Sequence, residues 1–335
     1  MGVLNPVQSP GDDARWMGAA LALAARGRGR TSPNPAVGCV IVRDNVVVGR
    51  GWTQPGGRPH AEAMALAAAK DAVRGATAYV TLEPCAHVSP RGPACADLLV
   101  ASGVARVVVA LGDPDLRTNG QGLARIAGAG IATRIGVGAD EARASMAGFL
   151  TRQAHGRPHV TLKLATSLDG CIARADSESR WITGPAARAH VHLERSRHEA
   201  ILVGRGTWEI DRPALDVRLP GLESRAPTRV ILSQRAGVGE PMRIASPAAI
   251  ADLPGDYLFV EGGAVTASAF LAADLVDRLL LYRAPILIGG GRPALGDIGL
   301  GSLAEAHGRW RLTDARMLGS DRLEVYERTQ CSPGS

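Results

Sequence analysis

A chain of 335 residues is long enough for two domains with separate cores. Its 38 basic and 32 acidic residues leave a net charge of +6, and the basic residues are scattered along the chain and form no stripe. Because aromatic residues make up only 4 %, stacking surfaces for single-stranded nucleic acid are scarce. The composition therefore argues against a nucleic-acid partner.

The cysteine content and the hydropathy pattern predict the compartment. The chain has five cysteines, and an odd number in a chain of this length is not a disulfide framework. A reducing cytosol suits free thiols. No run of about 18 apolar residues is present, as a membrane-spanning helix would need. We expect a soluble, cytoplasmic protein with no membrane partner.

Hydrophobic periodicity divides the first half of the chain into alternating helices and strands. Asp12 or Asp13 can cap a first helix, in which Met17, Leu21 and Ala24 recur at helical spacing. The predicted strands are 37–42, 46–49, 78–82, 106–111 and 131–135, and the main predicted helices are 60–73, 93–102 and 139–153. This alternation is typical of an α/β layer fold.

Four residues in this half have the chemistry of a catalytic zinc site. His60, Cys85 and Cys95 offer an imidazole and two thiols, and three protein ligands leave the fourth tetrahedral position of zinc open for water. Zinc lowers the pKa of such a water to about 7. Glu62 can share the pocket with His60 if a helix begins at His60, and Pro59 favours a helix start there. The pattern H-x-E with P-C and a later cysteine is typical of zinc deaminases of pyrimidine and purine rings.

Two other interpretations of this motif remain open at the level of sequence. A structural zinc site needs a fourth protein ligand, which Cys39 or His87 could supply. A zinc deaminase of nucleosides or tRNA, joined to an unrelated second domain, has the same motif. That second interpretation also predicts a basic or aromatic nucleic-acid surface, which this sequence does not show.

A polar stretch at 152–157 separates the first half from the second. The predicted strands beyond it are 159–165, 200–203, 228–232, 257–260, 276–287, 309–313 and 321–327, and the predicted helices are 185–197 and 265–273. The strand that ends at Val260 runs into Glu261, Gly262 and Gly263 and then into a helix. Glycines there allow close backbone approach, and a helix N-terminus attracts phosphate. No G-x-G-x-x-G unit follows a strand, so a Rossmann domain is not supported.

The segments 34–42, 60–62 and 81–87 resemble the bifunctional deaminase–reductases of riboflavin biosynthesis. The resemblance implies a cytidine-deaminase-like α/β/α layer domain. It implies that zinc is bound by His60, Cys85 and Cys95, that Glu62 is catalytic and transfers protons, and that the substrate contacts Asn34, His87 and Arg91. The chain departs from the family in having Thr53 where a histidine is common, and in a loop before Cys95 that is one residue longer.

The segments 162–170, 179–183 and 260–263 resemble the reductase half of the same family, which has a dihydrofolate-reductase-like α/β fold and uses NADPH. The resemblance places the following residues at the cofactor: Ala165, Trp181, Thr207, Asp211, Ser233, Gly263, Ala264, Val265, Thr266, Ala267, Ser268 and Ala269. It places these at the substrate: Ser179, Arg195, Leu215, Arg218 and Glu261. Arginines suit a phosphate through bidentate geometry. Arg212 stands where the family has the second aspartate of Asp-Asp-Pro.

Lys163 is one of only two lysines in an arginine-rich chain, and we predict that it is catalytic and contacts the reacting sugar. The sequence as a whole predicts a two-domain α/β enzyme. Residues 12–151 are expected to form a zinc-dependent pyrimidine deaminase, and residues 157–328 an NADPH-dependent reductase. The expected substrate is a small phosphorylated pyrimidine. The family resemblance also implies a homodimer or a higher homo-oligomer.

Overall fold

The computed structural model describes residues 10–235 and 241–329. The chain divides between His155 and Gly156 into two compact units. In the described part of the chain, no helix has the length and the apolar character needed to cross a membrane.

The first unit is built on a five-stranded sheet. Its strands are β1 (Gly38–Arg43), β2 (Val46–Trp52), β3 (Thr77–Val80), β4 (Arg106–Val109) and β5 (Ala132–Ile135). Its helices are α1 (Pro10–Ala24), α2 (Ala61–Ala69), α3 (Cys95–Ser102), α4 (Gln121–Gly128), α5 (Ala139–Ser145) and α6 (Ala147–His155). The strand order is β2-β1-β3-β4-β5. Strand β1 runs antiparallel to β2 and β3, whereas β3, β4 and β5 are parallel.

Two glycines let helix α2 lie directly on strand β2. A Cβ atom added at Gly49 or Gly51 would collide with the carbonyl oxygens of Ala65 and Ala61, respectively. Small residues on both surfaces therefore fix the distance between helix and strand. This contact determines where the start of α2, with His60 immediately before it, lies relative to the sheet.

Several predicted boundaries in this unit are wrong. The predicted helix 60–73 ends at Ala69, because Lys70 has a positive φ of 50°, and a short 3-10 helix follows. The predicted helix 139–153 is two helices, interrupted at Met146, whose φ of −114° is not helical. Neither Asp12 nor Asp13 is the cap, because both lie inside α1. The buried carboxylate of Asp13 accepts hydrogen bonds from Tyr79, Arg106 and Arg134.

The second unit is built on an eight-stranded sheet of order β10-β9-β8-β11-β6-β12-β15-β14. Its strands are β6 (His159–Thr166), β7 (Cys171–Ala173), β8 (Ala200–Gly204), β9 (Thr228–Leu232), β10 (Met242–Ile244), β11 (Tyr257–Val260), β12 (Arg278–Arg283), β13 (Arg292–Pro293), β14 (Trp310–Leu318) and β15 (Asp321–Arg328). Its helices are α7 (Pro185–Arg195), α8 (Arg205–Asp211) and α9 (Ala264–Ala272). Strands β7 and β13 form a separate small pair.

The central strand β11 is buried on both faces of this sheet. Leu258 and Val260 belong to the core on one face, and Phe259 belongs to the core on the other. Successive side chains of a strand point to opposite faces, which explains this division. A run of four apolar residues buried on both sides is typical of a central parallel strand.

The sequence did not predict three short strands, β7, β10 and β13, or the short helix α8 of the second unit. Each strand among them has three residues or fewer, too short for a period-2 pattern to be recognised. The predicted strand 276–287 is also too long, since β12 covers only Arg278–Arg283.

Candidate functional site

The three predicted zinc ligands meet in the first unit. His60 is the N-cap of α2, Cys85 follows β3, and Cys95 is the first residue of α3. The Nδ1 atom of His60 lies 3.6 Å from the Sγ of Cys85 and 3.4 Å from the Sγ of Cys95. All three ligand atoms lie within 4.8 Å of one another. Tetrahedral zinc with bonds of about 2.0 Å to nitrogen and about 2.3 Å to sulfur separates such atoms by about 3.5 Å, so the donor set fits zinc.

Neither of the residues considered as a fourth ligand joins this cluster. Among the described residues, the group that could hold a metal ion consists of His60, Cys85 and Cys95. His87 contacts Thr118 instead, with 3.4 Å between Nδ1 and Oγ1. Three ligands at this geometry agree with an open catalytic position and not with a closed structural site.

The two thiols differ in proton affinity. A hydrogen bond from Cys95 lowers the pKa of the Cys85 thiol to about 4. The same hydrogen bond raises the pKa of Cys95, which holds the shared proton. Because thiolates and not thiols bind zinc, Cys85 is already in the form of a ligand, whereas zinc has to displace the proton that Cys95 holds.

Glu62 lies in the first turn of α2 and is only 4 % exposed. Burial raises the pKa of its carboxyl group, although His60 opposes this shift. A side chain that must both accept and release a proton works best when its pKa is closer to neutrality than that of an ordinary carboxyl group. The position of Glu62 beside the cluster thus suits proton transfer.

Of the residues predicted to touch the substrate, Asn34 lies next to a metal-binding residue. The amide nitrogen of Asn34 donates to the carbonyl of Gly57 at 2.8 Å and lies 2.9 Å from Nε2 of His60. The exposed Arg91 donates to the carbonyl of Gly56 at 2.6 Å. Thr53, at the position where the family often has a histidine, is buried, and its hydroxyl accepts a hydrogen bond from the amide of Val37.

A second group of polar residues meets in the second unit. Strands β6, β8, β9 and β11 are parallel neighbours, so their carboxyl ends lie at one edge of the sheet. The predicted residues Ala165, Thr207, Ser233 and Glu261 all lie in or directly after these ends. Ligands of α/β sheets bind at this edge.

Lys163 and Glu261 lie side by side below this edge. The Nζ atom of Lys163 is 4.0 Å from Oε2 of Glu261, and both side chains are largely buried. Burial lowers the pKa of Lys163, Glu261 opposes this shift, and the charge of Arg195 adds to it. Against the effect of burial, Arg195 and Lys163 together lower the pKa of Glu261. An ammonium and a carboxylate are thus held close together.

The guanidinium of Arg195 is held by groups of the protein itself. It donates to both carboxylate oxygens of Glu261, at 2.6 and 3.0 Å, and to the carbonyl of Asp216 at 2.9 Å. Arg218 is more exposed and forms an ion pair with Asp216 at 3.1 Å. Leu215 is buried, and Ser179 lies in a loop.

Comparison with known proteins relates each of the two units to a protein family. Residues 10–111 match the family of the cytidine and deoxycytidylate deaminase zinc-binding region, and residues 158–323 match the RibD C-terminal domain. The riboflavin biosynthesis protein RibD of Escherichia coli (strain K12) is 38 % identical over 92 % of this chain and 97 % of its own length. RibD of Mycobacterium tuberculosis (strain ATCC 25618 / H37Rv) is 39 % identical over 92 % and 95 %, respectively.

Two solved structures are similar to this chain over both of its units. One form of Acinetobacter baumannii RibD has a TM-score of 0.83 at 36 % identity and covers 96 % of this chain and all of its own. A diaminohydroxyphosphoribosylaminopyrimidine deaminase/5-amino-6-(5-phosphoribosylamino)uracil reductase from Thermotoga maritima has a TM-score of 0.86 at 32 % identity, covering 96 % and 99 %. The chain belongs to the RibD family.

Membership of the RibD family confirms the predicted fold class and the predicted enzyme. The chain is a bifunctional enzyme of riboflavin biosynthesis, with a zinc-binding deaminase half and a reductase half that uses NADPH. The first half has the cytidine-deaminase-like fold and the second the fold of the RibD C-terminal domain.

The residues of the RibD-type reductase half fit a dinucleotide. Gly263 is the N-cap of α9, and a Cβ added there would have only Thr207 within 4 Å, so the space before the helix is open. A cavity of about 350 Å³ extends along α9 and is lined by Ala264, Val265, Ser268, Ala269, Ala272, Gly296 and Asp297. Thr266 and Ala267 face inward and are buried, so only their backbone could meet a ligand.

The other predicted cofactor residues differ in their surroundings. Trp181 is 67 % exposed, and the guanidinium of Arg188 lies 4.7 Å from its ring. The backbone carbonyl of Asp211 accepts a hydrogen bond from Arg180. Ser233 is buried, and its hydroxyl accepts a hydrogen bond of 2.6 Å from Arg205. The sequence does not predict the contact between Arg205 and Ser233, because the two residues lie 28 positions apart and no local pattern connects them.

Proposed function

We propose that this chain catalyses two consecutive reactions. Residues 12–151 would hydrolyse the 2-amino group of 2,5-diamino-6-(5-phosphoribosylamino)pyrimidin-4(3H)-one. Residues 157–328 would then reduce the ribosyl group to ribityl, giving 5-amino-6-(5-phosphoribitylamino)uracil. The observation that carries the proposal is the pairing of two sites in one chain. A His/Cys/Cys cluster lies beside a buried glutamate in one unit, and a buried lysine–glutamate pair lies near an open helix N-terminus in the other.

In the deamination step, His60, Cys85 and Cys95 hold zinc, which when bound lowers the pKa of water and so supplies a nucleophile. A C–O bond forms at the ring carbon, and the C–N bond to the amino group breaks. Glu62 takes a proton from the attacking water and delivers it to the leaving nitrogen, which departs as ammonia. Asn34, His87 and Arg91 hold the pyrimidine in place.

In the reduction step, the hydride that bound NADPH would supply forms a C–H bond at C1′, the bond between C1′ and the ring oxygen of the sugar breaks, and that oxygen takes up a proton. The ammonium of Lys163 contacts the reacting sugar, and Glu261 keeps that ammonium charged and in place. Arg195 fixes Glu261 through its two hydrogen bonds. Ser179, Arg195, Leu215 and Arg218 complete the substrate site.

The cofactor is proposed to lie along the carboxyl edge of the sheet. The residues assigned to it are Ala165, Trp181, Thr207, Asp211, Ser233 and the segment 263–269. The open space before Gly263 and the cavity along α9 support this placement. The N-terminal amides of α9 suit the negative charge of a phosphate.

The proposal extends to compartment and assembly. The four described cysteines are free thiols, which supports a reducing cytoplasm. Strand β14 has nine residues and lies at the edge of its sheet, where an unpaired edge can accept a strand from a second copy. This edge supports a homodimer or a higher homo-oligomer.

The test follows NADPH absorbance and ammonia release, comparing wild type with Glu62→Gln. Wild type should release ammonia from the diaminopyrimidine phosphate and then oxidise NADPH. Glu62→Gln should lower ammonia release by at least about 100-fold, because the proton carrier is lost. The pre-deaminated uracil substrate should restore NADPH oxidation in that variant. If wild type releases ammonia but oxidises NADPH with neither substrate, the reductase assignment fails.

A further inference from the structure

Glu83 is a buried carboxylate of the deaminase half that the two reactions leave without a role. It lies two residues before Cys85 and is 3 % exposed. No lysine or arginine in the described ranges forms an ion pair with it. Burying a charged group without a cation is costly unless hydrogen bonds replace the lost water.

Backbone amides supply those hydrogen bonds. Oε2 of Glu83 accepts from the amide of Asp113 at 3.3 Å and from that of Gly120 at 3.0 Å, and Oε1 accepts from the amide of Leu123 at 3.1 Å. Gly120 is the N-cap of α4 and offers no side chain of its own for capping. Glu83 therefore caps this helix from a distant part of the chain, where a negative charge is also favoured by the helix dipole.

A glycine makes this approach possible. Gly122 lies in the first turn of α4, and a Cβ added there would collide with the carbonyl oxygen of Pro84. The start of α4 thus packs directly against the residue that precedes the zinc ligand Cys85. The carboxylate of Glu83 and the close approach at Gly122 together fix loop 113–120, which is part of the connection between β4 and α4, against the segment that carries Cys85.

Loop 113–120 also contacts the substrate side of the site. Thr118 is fully buried in this loop, and its hydroxyl lies 3.4 Å from Nδ1 of His87. His87 is one of the residues proposed to hold the pyrimidine. The chain of contacts therefore runs from Glu83 through loop 113–120 to Thr118 and His87.

We propose that Glu83 is a positioning residue of the deaminase site: it holds loop 113–120 so that Thr118 orients His87 for the substrate. This inference rests on the proposed function of the first unit. The carboxylate of Glu83 accepts its hydrogen bonds from backbone amides and not from the side chains of His60, Cys85 or Cys95. Its loss should therefore weaken substrate binding more than it slows the chemical step.

The test measures kcat and KM for ammonia release by the full-length protein. In Glu83→Gln, the amide NH₂ group would face backbone amides that need an acceptor, so we expect KM for the diaminopyrimidine phosphate to rise at least about tenfold. The value of kcat should stay within about threefold of wild type. Zinc content should stay at the wild-type level, and so should NADPH oxidation with the pre-deaminated substrate. Glu141→Gln, at an exposed glutamate of α5, is the matched control.

Thr118→Val removes the contact to His87 while Glu83 stays in place, and it should raise KM in the same way. The double variant should have a KM no higher than Glu83→Gln alone, because both changes break one chain of contacts. If KM of zinc-loaded Glu83→Gln is unchanged, or if the two effects multiply, the proposal is overturned. If Glu83→Gln does not retain zinc, an unchanged KM in Thr118→Val overturns it. No ammonia release from wild type would instead refute the proposed function itself.

Discussion

At the scale of single residues, Lys163 gives the sharpest test of the reductase site. Its ammonium lies 4.0 Å from Glu261, in a site where burial and Arg195 both work against the positive charge. We expect the buried ammonium of Lys163 to interact with the sugar of the substrate as the sugar is reduced. Lys163→Met keeps the apolar stem and removes the charge. We expect kcat for NADPH oxidation with the uracil substrate to fall by about 100-fold or more.

The chain offers a matched control for this variant. Lys70 is the only other lysine, and it is exposed in the first unit. Lys70→Met should leave both activities within about twofold of wild type, since surface substitutions usually change little. NADPH binding, followed by fluorescence, should stay unchanged in Lys163→Met. Hydride transfer at the wild-type rate in Lys163→Met would show that the lysine has no catalytic role.

The sequence could predict residues whose chemistry is uncommon and whose spacing is characteristic. A histidine, a glutamate and two cysteines at the spacing of His60, Glu62, Cys85 and Cys95 have few structural explanations, and the structure brings the three metal-binding residues together. Glu83 belongs to the same motif, yet its role could not be predicted. Its partners lie 30 to 40 residues away, in a loop and in the first turn of α4, and hydrogen bonds from backbone amides place no demand on side-chain type.

At the scale of elements, Asp13 shows how one carboxylate joins a helix to a sheet. It accepts hydrogen bonds from Tyr79 on β3 and Arg106 on β4, and it also binds Arg134 on β5. Asp13→Asn would leave Arg106 with a neutral partner in a largely buried place. We expect the free energy of unfolding of the first unit to fall by about 3 kcal/mol. Urea denaturation of the two proteins measures the difference, and a loss below about 1 kcal/mol would contradict it.

The same contact predicts a pH dependence. Against the effect of burial, the hydrogen bonds from Arg106 and Tyr79 lower the pKa of Asp13 below its ordinary value of 3.8. The stabilisation is therefore fully present above pH 3.8 and disappears as the pH falls through the lowered pKa. The difference in stability between wild type and Asp13→Asn should accordingly be constant near neutrality and shrink below about pH 4.

Helices and strands could be predicted where the sequence has a long apolar pattern. The role of a residue could not be predicted where it depends on contacts with distant parts of the chain. Strands β1 and β2 contain runs rich in valine, and β11 is a run of four apolar residues. Such runs are recognised as strands from the sequence alone. Asp13 looked like a helix cap because aspartate near a helix start usually is one. Its true partners come from strands about 65 to 120 residues further along the chain, which no local pattern reveals.

At the scale of the whole molecule, each unit has a core of its own. The buried residues of the first core lie between Trp16 and Phe149, and those of the two cores of the second unit lie between Val160 and Val325. Among the described residues, none belongs to cores on both sides of the division. Units that share no core can fold separately, as domains do.

We therefore predict that the chain can be cut between His155 and Gly156 without loss of either fold. Fragments 1–155 and 156–335, produced separately, should each unfold cooperatively on heating. The first should release ammonia only when zinc is present, and the second should oxidise NADPH only with the pre-deaminated uracil substrate. A mixture of the two should carry the diaminopyrimidine phosphate through both reactions, more slowly than the intact chain if the intermediate must diffuse between fragments. An unfolded fragment beside a folded intact chain would show instead that one unit depends on the other for its stability.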